Sequence, residues 1–102
     1  MSSYANRIAA KRVRRGARVL RAAFGEDWVD RIKLRRLDIS NPDKCALGQL
    51  YGDFHSGECK LEDGSDDWAE RHGFHPDEIC GNSKLTRFWK ARIRRERKRL
   101  AA

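Results

Sequence analysis

Three cysteines and three histidines fall between positions 45 and 80: Cys45, His55, Cys59, His72, His75 and Cys80. Thiolates and imidazoles are the donors that zinc takes in fours. His55-x3-Cys59, His72-x2-His75 and His75-x4-Cys80 have tolerable ligand spacing. The Cys-x2-Cys knuckle, the strong mark of a structural zinc site, is missing. Cys45 also falls on the apolar face of a helix, where a free cysteine acts as a small hydrophobe. We therefore expect no bound metal and no other cofactor. A Cys–His nucleophile pair needs no proximity in sequence, but nothing in the pattern selects one. The adjacent acids Glu62-Asp63 and Asp66-Asp67 suit the first turn of a helix better than acid–base catalysis. Gly48-Gln49-Leu50-Tyr51-Gly52 lacks the Gly-x4-Gly-Lys-Ser/Thr pattern of a phosphate loop. No catalytic activity is expected.

The bases carry a stronger signal. Of 102 residues, 23 are Lys or Arg and 15 are Asp or Glu, a net charge of +8. That charge is unevenly spread: residues 1–23 carry seven bases and no acid, residues 38–83 carry eleven acids and three bases, and residues 84–102 carry nine bases and one acid. Arg7, Lys11, Arg14, Arg18 and Arg21 step by three or four and form one stripe of a helix. Arg87, Lys90, Arg94 and Lys98 do the same near the C-terminus. Two readings fit this layout. Basic ends can pack around an acidic centre and neutralise themselves. Alternatively, they can face an external polyanion, where the guanidinium fork matches phosphate in a way that an ammonium does not.

The elements that must carry these stripes read as helices. Ser2 or Ser3 caps a first helix running to Phe24, and Gly25 ends it. Its apolar stripe is Ala9, Val13, Ala17, Leu20 and Phe24, about 120° from the basic one at roughly 100° per residue. A second helix is expected over 28–36 with Trp28, Val29 and Ile32 inward. A short extended piece follows at Leu37-Asp38-Ile39-Ser40. Asn41-Pro42 opens a third helix to Tyr51, burying Cys45, Leu47, Leu50 and Tyr51. Gly48 there is expected to permit a close helix–helix approach. Residues 52–65, with three glycines, read as a loop. Ser65 caps a two-turn helix over 66–72, and 77–80 form one turn. Asn82 or Ser83 caps a last helix to Leu100 with Leu85, Phe88, Trp89, Ile93 and Leu100 apolar. Beyond Ile93 that apolar side thins, so the last two turns are expected to project into solvent or a partner. Trp28, Trp68 and Trp89 are expected in the core.

Leu37-Asp38-Ile39-Ser40 followed by Cys45-Ala46-Leu47-Gly48-Gln49-Leu50-Tyr51-Gly52-Asp53 resembles a motif of small proteins of actinobacteria and their bacteriophages. Trp28, His72-Gly73-Phe74 and Leu85-Thr86-Arg87-Phe88-Trp89 stand in the order seen in that group, and the resemblance covers about residues 16–96. It implies a small helical protein of a bacterial cytoplasm and no particular chemistry. Many members have a further cysteine three residues before the first; Pro42 stands there here. A shared Cys-x-x-Cys metal or redox role is not carried over.

The expected fold is all-α: a single small domain, 1–102, of four to five short helices, basic first and last, with 1–3 and 97–102 as flexible ends. No window approaches the ~20 apolar residues of a membrane span, and no signal-peptide core is present. The mostly Ala and Val apolar face of the first helix gives shallow purchase on a lipid surface. The expected function is non-enzymatic binding of a nucleic acid or ribonucleoprotein phosphate backbone. The nine stripe residues would position phosphates rather than read bases. The alternative is a phage regulatory protein that grips an acidic surface of a host protein. A third class is a small structural or assembly protein.

Overall fold

The first helix, α1, spans Tyr4–Phe24. Ser3 caps it, its Oγ accepting the Asn6 N–H at 3.1 Å. Gly25 ends it at φ 89°, a conformation that costs glycine little, and donates its N–H to the Arg21 carbonyl at 2.8 Å. The structure, a computed structural model, describes residues 3–61 and 66–102. Among them are five α-helices, two 3₁₀ turns and no strand. The chain is a small all-α domain.

The frame is α1 packed along the last helix, α5 (Asn82–Ala101). Ala9, Val13 and Leu20 of α1 and Leu85, Trp89 and Ile93 of α5 are almost wholly buried. Gly16 sets the closeness of the seam. A Cβ there would overlap the His72 carbonyl oxygen and stand 2.8 Å from Trp89 Cζ2. Trp89 is the hub: its Nε1 donates to the Gly73 carbonyl at 2.6 Å. Its ring lies 5.4 Å from Phe74 and 6.2 Å, edge-on, from Trp28. All three tryptophans are buried, as their number in a small domain suggests.

The region between the two long helices departs from expectation in several places. The predicted helix over 28–36 is two 3₁₀ turns, Glu26–Arg31 and Leu34–Arg36, with Ile32 extended between them. The reason is tertiary. Arg97 donates to the Val29 carbonyl from Nε and Nη2 at 3.2 and 2.7 Å, and to the Ile32 carbonyl from Nη2 at 2.6 Å. Carbonyls satisfied from outside need no continuing helix. The same contacts anchor α5 at Arg97, and Arg99 reaches Glu26 at 2.8 Å, while residues 98–102 are exposed, so the expected projection is confined to the end of the helix.

The third predicted helix begins later than Pro42. Asn41 Oδ1 accepts the Asp43 N–H, which locks a turn, and α2 covers only Ala46–Tyr51. Cys45 caps it, Sγ accepting the Gly48 N–H at 3.3 Å. Gly48 does permit a close approach, but to the turn, since a Cβ would overlap the Pro42 carbonyl. Leu50 and Tyr51 are half-buried rather than core. Residues 54–61, expected as loop, form α3 (Phe54–Leu61). Asp53 accepts the Ser56 N–H at 2.8 Å, and Gly57 is a contact residue whose Cβ would press on Leu47 and Tyr51 of α2. The Ser65 cap lies outside the described residues. Next, α4 covers Asp66–Arg71, with Gly73 at φ 76° just beyond it. At the start of α5 the cap position falls to Gly81, without a side-chain bond, and Asn82 is already helical.

Candidate nucleic-acid interface

Arg7, Lys11, Arg14, Arg18 and Arg21 all stand exposed on one flank of α1. On α5, Arg87, Arg94 and Lys98 are exposed and Lys90 is half-buried. Among the described residues, none of these nine bases makes an ion pair within 4 Å.

The two stripes do not meet in one groove. With Leu85, Trp89 and Ile93 inward, a step of 100° per residue puts Lys90, Arg94, Arg87 and Lys98 to one side of α5 and Arg92 and Arg95 to the other. Arg87, Lys90 and Arg94 line a groove with Asp38, Ser40 and Thr86. The α1 stripe faces the opposite flank, where Arg14, Arg18 and Arg21 share a groove with Arg92, Glu96 and the edge of Trp28. Further along the seam the groove floor is Ala10, Val13, Phe88 and Ala91, bordered by Arg92 and Arg95. Arg92 and Arg95 are thus part of the surface and were missed from sequence. Their signal was the step Phe88, Ala91, Arg92, Arg95, a run parallel to the nominated one. The outer arc of α5 carries bases on both flanks and joins the grooves.

Several acids of the centre are held by local bonds, and Asp38 also feels the nearby charge of Lys90. Asp38 accepts the Ser40 N–H at 3.0 Å and its Oγ at 2.6 Å, bonds that hold its carboxyl below the usual range. The backbone N–H and hydroxyl of Ser56 do the same for Asp53. Asp67 lies 3.6 Å from Arg71. Among the described residues, the one ion pair that joins a basic end to the 38–83 segment is Arg12–Asp77 at 2.7 Å. Arg12 lies off the stripe, half-buried. Burial opposes the charge on Asp77, but the Cys80 N–H, the Arg12 guanidinium and the Ile79 N–H outweigh it and keep the carboxyl below its ordinary pKa.

No family model, curated protein or solved structure matches this chain.

The motif residues around α2 serve the architecture. Gln49 Oε1 accepts the Lys33 N–H at 2.6 Å, and its Nε2 donates to the Lys44 carbonyl at 2.9 Å, which ties α2 to the 3₁₀ segment. The Ile39 N–H donates to Thr86 Oγ1 at 2.9 Å and fixes the extended piece on α5.

The zinc-type residues are dispersed. Burial pushes the Cys45 and Cys80 thiols up, away from the thiolate. Cys59 is exposed, 3.6 Å from His55 Nε2. His72 Nδ1 lies 2.8 Å from the Trp68 carbonyl, its ring stacked on Trp68. His75 Nδ1 lies 2.8 Å from the Pro76 carbonyl. Among the described residues, no group of three or more His, Cys, Asp or Glu is placed to hold a metal ion. No helix among them is long and apolar enough to cross a membrane.

Proposed function

We propose that this protein is a non-enzymatic binding protein whose α1–α5 surface contacts the phosphate backbone of a nucleic acid or ribonucleoprotein. One observation carries the reading: none of the nine stripe bases makes an ion pair among the described residues, while Asp38, Asp53 and Asp77 of the acidic centre are bonded to local backbone N–H groups. Like charges held this close on packed helices repel, and a polyanion relieves that repulsion while releasing its condensed counterions. Arg and Lys on helix flanks touch phosphates without regard to base, so binding is expected to be tolerant of sequence. The resemblance of the 37–53 segment to actinobacterial and phage proteins supports membership of that group and a place in a bacterial cytoplasm.

The test is direct binding of the full chain to fluorescent duplex DNA and to duplex RNA at low salt. Saturable binding to either supports the reading. No binding to both contradicts it and brings forward the alternative, an acidic surface on a host protein. The apolar floor of Phe88 and Ala91 between arginines favours that alternative if nucleic acid fails.

A further inference from the structure

Glu96 is the one acid between Lys84 and Ala102, and it stands inside the arginine groove. Its Oε1 accepts from Arg92 Nη1 at 3.2 Å, and its Oε2 from Arg99 Nε and Nη2 at 3.2 and 3.0 Å. Only 15% of the side chain is exposed, and 19% of the Arg92 side chain. Across the groove stand Arg14, Arg18 and Arg21. Four arginines therefore line a groove that holds a single carboxylate. On the far flank of α5, the helix itself contributes Arg87, Lys90 and Arg94 and no acid.

We infer that the α1–α5 groove is the seat of one phosphodiester group of the bound nucleic acid, with Arg92 among its ligands and Glu96 as a built-in counter-ion that restrains binding there. This rests on the polyanion reading and narrows it to a place. A guanidinium has five N–H donors, and the contact with Glu96 uses one of those on Arg92. The remaining donors suit a phosphate oxygen at the same mouth. Until a phosphate arrives, Glu96 offsets repulsion among the four arginines and holds Arg92 against α5. Once it arrives, the carboxylate faces a second anion at close range. At a screened surface position that repulsion is worth about three- to tenfold in affinity. Glu96 thus sets how tightly the surface holds its ligand, at a cost in affinity and a gain in order.

The experiment measures affinity for one fluorescent duplex DNA at low salt, for wild type, Glu96→Gln, Arg92→Gln and the double variant. Glu96→Gln is expected to bind about three- to tenfold more tightly, because the neutral amide removes the repulsion. Arg92→Gln is expected to bind about three- to tenfold more weakly, and the double variant to fall between the two single variants. Circular dichroism checks that α5 persists. If Glu96→Gln loses helix, Arg92→Gln alone decides. Wild-type binding with both single variants within twofold of it overturns the groove assignment and leaves the broader surface reading intact. No binding by any protein removes that reading itself.

Discussion

The two long helices and the segment between them handle charge in opposite ways. On α1 and α5 the nine stripe bases make no ion pair within 4 Å among the described residues, though Asp38 and Glu96 each line a groove with three of them. Between them, Asp38, Asp53 and Asp77 each accept backbone N–H groups and hold turns or helix starts in place. Of the acids that give residues 38–83 a net charge near −8, these three are thus tied to local backbone. A carboxylate that accepts N–H bonds at a turn is held in one place, and that place is set by the local backbone. Opposite charges in one small domain can remain unpaired when one set is consumed by architecture. Arg12–Asp77 shows what true neutralisation looks like here: a half-buried base off the stripe, docked on an acid already fixed by two N–H groups.

The contrast can be broken from the core outward. Trp89→Ala, which empties the hub between the two helices, is expected to cost about 3–5 kcal/mol, much of the stability of a small domain; urea unfolding measures it. Leu50→Ala, in the middle segment and half-buried, should fall near or below the roughly 2 kcal/mol at the foot of the range for buried leucines. If the two cost the same, the middle carries as much of the core as the frame does. Arg97→Gln removes the donors on the Val29 and Ile32 carbonyls and is expected to cost about 1.5–3 kcal/mol. Hydrogen exchange should show faster opening of the 3₁₀ turns in that variant.

Acid sharpens the same contrast. The carboxyl of Asp77 is held below its ordinary value in the folded chain. Its contribution is therefore present above the unfolded-state pKa of about 3.9 and lost as pH falls through the lower folded value. Wild type should lose stability as pH falls below about 4. Asp77→Asn should be less stable at neutral pH and show a shallower acid dependence, read by thermal melting across pH. An unchanged acid slope would mean that Asp77 is not linked to folding.

Much of the frame was legible because its signals are local. The apolar step from Ala9 to Leu20, the Ser3 cap and Gly25 at positive φ all act within one helix. The middle was less legible because its determinants lie far apart in sequence. The helix expected over 28–36 is divided by an arginine at position 97. Gly57 reads as a breaker in sequence, yet in space it is the surface on which α2 and α3 touch. The site was half legible. Helical spacing located both stripes, but which flank of α5 faces α1 depends on the packing of Trp89 and Gly16, so Arg92 and Arg95 escaped notice.

If the α1 stripe binds an external polyanion, its arginines are not occupied within the fold. Arg14→Gln with Arg18→Gln tests this, since Gln keeps helix propensity close to that of Arg. The measurement is the affinity for duplex DNA across a salt series, with thermal melting alongside. A phosphate-binding surface gives a log–log salt slope of about −0.9 per phosphate neutralised. The double variant should flatten that slope by about one to two units and shift stability by no more than about 0.5 kcal/mol. A clear fall in melting temperature with the slope unchanged would show instead that these arginines serve the fold.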